Sequence, residues 1–385
     1  MNRIVTVIAL GAALGPWSVQ AATVTGVRRV PIDVVSGGRI FLQARVNGSD
    51  PLWFLLDTGS PRSYLDPGQI RPLGLRNAEK AEKGSGAVLD RNALVEIAGL
   101  QLAEHPFTVA PVRLPVAHPV SGILGAPFFR QLVVAIDYAA SSAVLSEPRG
   151  FRYSGSGTSV ALDLSQGVPV IGARLTVGSR GPFTARLRVD TGAYWPLRIE
   201  RAFARTKQLL ATTAGMHRFK ASGTDGAEEG FLAGRARLLQ VGPFLFRDEV
   251  ATFPEAQPGT RVAWDGILGS ALLNRFRVTF DYSRRQMFLE PTEMVGLSFD
   301  YDLAGVTVVP EGKGFKVGSV QKDTPGGGAG LEVGDVILAM DDRPVAGMSL
   351  LQVRQLFRQD GEKHTVEIQR GRDRFLVQMT TMRIR

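Results

Sequence analysis

Apolar and polar residues alternate along this chain in short runs, broken by glycine, proline and asparagine, which is the pattern of strands and tight turns. Residues 30–37 and 39–46 read as two strands around Ser36-Gly37-Gly38, and Asn47-Gly48-Ser49-Asp50 predicts a hairpin turn. Leu52-Trp53-Phe54-Leu55-Leu56 is continuously apolar, as suits a strand buried on both faces, and it delivers Asp57 at its end. Further strands are predicted over 94–97, 100–102 and 107–109, a short helix over 126–132, and a hairpin from 133–137 and 143–146. The Gly- and Ser-rich residues 150–158 read as a linker. Beyond it, 171–177 and 183–189 predict a hairpin that again ends at an aspartate, Asp190.

The second run of elements repeats the first. Leu56-Asp57-Thr58-Gly59 returns as Val189-Asp190-Thr191-Gly192, and Gly122-Ile123-Leu124-Gly125 returns as Gly266-Ile267-Leu268-Gly269. A given tripeptide is expected only about 0.1 times by chance in a chain this long, so two matched pairs in the same order indicate an internal duplication. Two glycine-rich tips also correspond, Gly84-Ser85-Gly86 in the first copy and Gly223-Thr224-Asp225-Gly226 in the second, and both read as lids. From about Glu293 nothing repeats. There, two strands over 365–370 and 375–380 follow a helix over 349–358 with apolar residues at Leu350, Val353, Leu356 and Phe357.

Composition narrows the class. The 385 residues exceed one small core, and 44 glycines with 22 prolines favour a turn-rich, mainly β protein. Arg3, the apolar run 4–14 and Val19-Gln20-Ala21 predict a cleaved secretory signal over 1–21. With no cysteine, an exported chain has no disulfide framework and no thiol chemistry, and a periplasmic or secreted address fits. No later apolar stretch is long enough to suggest an integral membrane segment. The net charge of +9 comes from basic residues dispersed along the chain, which reads as solvated surface and argues against nucleic acid. His105, His118, His217 and His364 show no metal-ligand spacing, so neither metal nor cofactor is expected. Gly155-Ser156-Gly157 lies in the linker and lacks the strand-turn-helix context of a serine nucleophile.

Two aspartates on matching loops can face one another across the boundary between the copies. Adjacent carboxylates cannot both ionise freely, so such a pair shares one proton. One member can then act as base on a water while the other donates to a carbonyl. The neighbouring threonine hydroxyls can cross the boundary and hold the pair still.

On these motifs the chain resembles the aspartic proteases, in particular the retropepsin-like group, over roughly residues 25–291. The resemblance implies two retropepsin- or pepsin-like β-barrel halves (22–150 and 151–292) forming a pseudo-dimer within one chain. It further implies Asp57 and Asp190 as the catalytic pair, and Thr58, Gly59, Thr191 and Gly192 as their support. Gly84, Ser85, Gly86, Gly223, Thr224 and Gly226 would be flap residues against a peptide or protein substrate. A monomer is expected, with a homodimer as the alternative. The copies differ in that Ser60 follows the first motif and Ala193 the second, and the first lid lacks the tyrosine of pepsin-like enzymes. Arg188, two residues before Asp190, stands where the first copy has an apolar residue and is read as a strand residue facing out.

Residues 293–385 resemble an α+β PDZ domain, through Ala329-Gly330-Leu331 and Gly334-Asp335-Val336-Ile337. By that resemblance, Gly314-Phe315-Lys316-Val317 would form the loop that binds a peptide's C-terminal carboxylate. The whole reads as an exported aspartic endopeptidase with a peptide-binding PDZ domain; the alternative is a catalytically silent scaffold that binds peptides through that domain.

Overall fold

The computed structural model describes residues 26–76, 87–89, 92–114, 116, 119–213, 216–222, 228–256, 262–296, 304–320, 324–348, 350–357, 359 and 361–382. The predicted signal and the flap residues Gly84, Ser85, Gly86, Gly223, Thr224 and Gly226 lie outside these. The chain is mostly β, with β-barrel sheets followed by a PDZ domain.

The apolar run ending at Asp57 forms the strand Leu52–Leu56. It pairs antiparallel with Arg39–Val46 on one side and parallel with Val120–Leu124 on the other. Ser63–Leu65 closes on the far edge of Val120–Leu124. The second copy builds the same arrangement. Arg180–Asp190 lies between antiparallel Val170–Val177 and parallel Gly266–Gly269, and Leu197–Ile199 closes the far edge. Even the register agrees, since Leu56 lies beside Leu124 and Val189 beside Leu268.

Each Gly-Ile-Leu-Gly strand turns at its last glycine into a short helix, Ala126–Gln131 or Ser270–Leu273. A Cβ on Gly125 would overlap the Arg62 carbonyl, and one on Gly269 the Trp195 carbonyl, so only glycine lets these backbones meet. The hairpins that follow join the halves, because Val133–Asp137 pairs antiparallel with Phe276–Asp281. Around this seam runs one six-stranded sheet in the order Arg28–Pro31, Ser142–Ser146, Val133–Asp137, Phe276–Asp281, Gln286–Pro291, Thr158–Ala161. Residues of both halves share a single buried apolar cluster.

Two predicted elements differ from the structure. The strand expected over 30–37 is two strands, because its ends serve different sheets: Arg28–Pro31 joins the shared sheet and Asp33–Val35 pairs with Arg39–Val46. Gly37 and Gly38, at φ +74° and +81°, then turn the chain against the second half, where Ser270 Oγ lies 2.7 Å from the Gly37 carbonyl. The predicted linker is also pinned. Tyr153 stacks on Phe288 with ring centroids 3.9 Å apart, and its hydroxyl donates to Glu290 at 2.6 Å.

The C-terminal region has a core of its own, including Val306, Phe315, Ile337, Val353 and Ile368. Its main sheet runs Val306–Glu311, Gly314–Val320, Val336–Met340, Lys363–Arg370, Asp373–Thr380. This corrects the placement of Gly314, Phe315, Lys316 and Val317. They lie in an internal strand with neighbours on both sides, so their backbone groups serve the sheet and cannot form a carboxylate-binding loop. A peptide strand can add only at an open edge, and Val306–Glu311 is the edge that packs against the helix Leu350–Leu356.

Candidate active site

Asp57 and Asp190 leave the ends of their strands at matching points and meet at the boundary between the halves. Both are buried, and the threonines beside them are fully so. The threonines interlock. Thr58 N donates to Thr191 Oγ1 and Thr191 N to Thr58 Oγ1, each at 3.0 Å. Each hydroxyl then donates onward across the boundary, Thr58 Oγ1 to the Val189 carbonyl at 2.9 Å and Thr191 Oγ1 to that of Leu56 at 2.7 Å. These hydrogen bonds each contribute about 1 kcal/mol, and together they fix the two aspartate backbones relative to one another.

The glycines complete the cradle. Gly59 N donates to Asp57 Oδ1 at 2.8 Å, while Gly192 N and Ala193 N donate to Asp190 Oδ1 at 3.0 and 2.9 Å. A Cβ on Gly59 would overlap the Asp190 carboxyl, and one on Gly192 would lie 2.5 Å from Asp57 Cγ. Each aspartate therefore packs against the glycine of the opposite half. Burial, and then the charge of Asp190, push the Asp57 carboxyl well above the ordinary carboxylate range, against a smaller opposing pull from Arg188. Such a carboxyl keeps its proton at a pH where an exposed aspartate has lost it.

Arg188 does not face out as the sequence suggested. Its side chain is 20% exposed, its Nη2 lies 2.6 Å from Asp190 Oδ2, and its guanidinium sits 4.8 Å above the Trp264 ring. The sequence motifs mark neither Arg188 nor Trp264 as part of the site. The available signal was strand alternation, which puts Arg188 on the face of Asp190 rather than on the core face of Leu187 and Val189.

A second buried polar group lies beneath the first loop. His105 is fully buried, its Nε2 is 2.8 Å from Ser63 Oγ, and that hydroxyl accepts from Gly125 N at 3.1 Å. Burial lowers the His105 pKa to about 4 from 6.5. The folded protein thus keeps His105 neutral while the unfolded chain protonates it below 6.5. Its contribution is present above that pH and is lost as pH falls from 6.5 towards 4, for a total of about 3 kcal/mol. Urea unfolding at pH 7.5 and pH 4.5 isolates this contribution as a difference: relative to wild type, His105→Gln should gain about 3 kcal/mol of stability between the two.

Two parts of the chain match known protein families. Residues 42–128, which include Asp57 and Ile123-Leu124-Gly125, match the aspartyl protease family model. Residues 303–381 match that of the PDZ domain. The crystal structure of an aspartic proteinase from Irpex lacteus aligns over 71% of this chain and 99% of its own, at 16% identity and a TM-score of 0.41. No curated protein sequence matches. The chain thus carries a region similar to the aspartyl proteases, over residues 42–128, and a C-terminal region similar to PDZ domains, over residues 303–381.

Proposed function

We propose that this protein is an aspartic endopeptidase that hydrolyses peptide bonds with one water and no covalent intermediate. The observation that carries the reading is the pair Asp57 and Asp190, buried face to face, interlocked through Thr58 and Thr191, with the Asp57 carboxyl pushed well up. Asp190 takes the role of base and draws a proton from the water. Asp57 takes the role of acid and donates its proton to the scissile carbonyl oxygen. The tetrahedral diol that results collapses as Asp190 passes the water's proton to the leaving nitrogen and Asp57 takes one back from a diol hydroxyl, which returns the pair to its one-proton state. Because both halves come from one chain, a monomer suffices.

The Val306–Glu311 edge of the PDZ domain receives an extended peptide or a protein C-terminus and brings substrate to the protease. Export to the periplasm or beyond fits the N-terminal signal pattern and the absence of cysteine. Incubating the full chain with a mixed peptide library between pH 3 and 8 tests the activity. The expected result is internal cleavage that Asp190→Asn abolishes; intact peptides at every pH, with the protein folded, would refute it.

A further inference from the structure

We propose that Arg188 sets the specificity of this site and selects peptides with a carboxylate side chain next to the scissile bond. This rests on the endopeptidase reading above. Along Arg180–Asp190, the side chains of Ala185, Leu187 and Val189 enter the core, which leaves Arg188 and Asp190 on the opposite face. Two residues of strand span about 7 Å, so Arg188 stands one side-chain position from the reacting centre. Across the sheet Arg188 lies beside Ile267, and Ile267 beside Arg198. The same row in the first half reads Leu55, Ile123, Tyr64, where Leu55 and Ile123 belong to a small apolar cluster. The row beside the pair of aspartates is therefore apolar in the first half, whereas in the second it carries two arginines, Arg188 paired to Asp190 and Arg198 to Glu200.

The hydrogen bonds of Asp190 show what Arg188 does there. Oδ1 accepts from Gly192 N and Ala193 N, so Oδ2 is the oxygen left to meet a water, and Arg188 occupies it. The guanidinium still has donors to give. Its Nε and the Nε1 of Trp264 beneath it are buried and meet no acceptor among the described residues. An incoming carboxylate can take the guanidinium over in a two-pronged pair. That exchanges one carboxylate partner for another and releases Oδ2 of Asp190. An apolar side chain offers no such exchange; Arg188 then stays on Asp190 or is left as an unpaired, largely buried charge, which is strongly unfavourable. A preference of about a hundredfold for the acidic side chain follows.

The test uses peptides in which a hydroxyethylene group replaces the scissile bond, with Glu or Leu on either side of it. Their Kd values are measured by calorimetry against the full chain as wild type, Arg188→Leu and Arg188→Lys. Wild type should bind one Glu peptide about a hundredfold tighter than its Leu counterpart, Arg188→Leu should prefer Leu, and Arg188→Lys should keep a smaller preference for Glu. Leucine is the residue at the matching Leu55, and thermal melting verifies the fold of each variant. Equal or weaker binding of Glu by wild type, no binding of any peptide, or a Glu preference that survives Arg188→Leu would overturn the proposal. Cleavable versions run in parallel separate the two readings: Glu-selective binding without cleavage counts against the endopeptidase alone, and cleavage without Glu selectivity counts against Arg188 alone.

Discussion

Asp57→Asn is expected to lower kcat/KM by about 10²- to 10⁴-fold, while leaving the fold intact and more stable at neutral pH. The two effects share a cause. Asp57 is buried beside Asp190, and its carboxyl is pushed well above the usual range by burial and by that neighbour. Folded protein consequently holds a proton that the unfolded chain gives up above about pH 4. Stability on this account is lost as pH rises through that window. A neutral amide of nearly the same shape removes the loss, but it can neither donate a proton to the scissile carbonyl oxygen nor take one back from the diol. Steady-state kinetics on one cleaved peptide, with thermal melting at pH 7, measures both. A variant that is slow and less stable would indicate that Asp57 is mainly a structural group.

The second large effect concerns Gly192. Its position would place a Cβ 2.5 Å from Asp57 Cγ, so Gly192→Ala must push the carboxyls apart or move the loop. Displacement of a reacting group by about 1 Å costs about 10²-fold in rate, and the expected change is in kcat, with KM little altered. Gly172 is the control, because a Cβ there meets nothing within 4 Å. Gly172→Ala should leave kcat unchanged, which separates the cradle from a general intolerance of added methyl groups.

Much of this was legible in the sequence because the duplication doubles every signal. The run 52–56, its counterpart before Asp190 and the two Gly-Ile-Leu-Gly stretches located both halves, and alternation located the hairpins that join them. Other features are not legible there, each for a physical reason. The break near Ile32 depends on two sheets competing for one strand, which no local pattern records. The PDZ segment around Gly314 carries glycine and alternating residues, as a loop or a hairpin strand would, and only the pairing on both sides decides between them. Arg188 was read as an outward surface residue because arginine on a strand usually is one. Its departure from the apolar Leu55 of the first copy, on the face that also carries the aspartate, was the information that pointed into the site.

The most direct test of the central claim is the pH dependence of kcat/KM from pH 3 to 8 on a single cleaved peptide, with the fold monitored at each pH. Two carboxyls sharing one proton give a bell. Its acid limb falls as the pair takes up a second proton, and its alkaline limb, where Asp57 releases the shared one, lies above the ordinary carboxylate range. A rate that stays flat to pH 8, or a bell that persists in Asp190→Asn, would place the chemistry outside this pair.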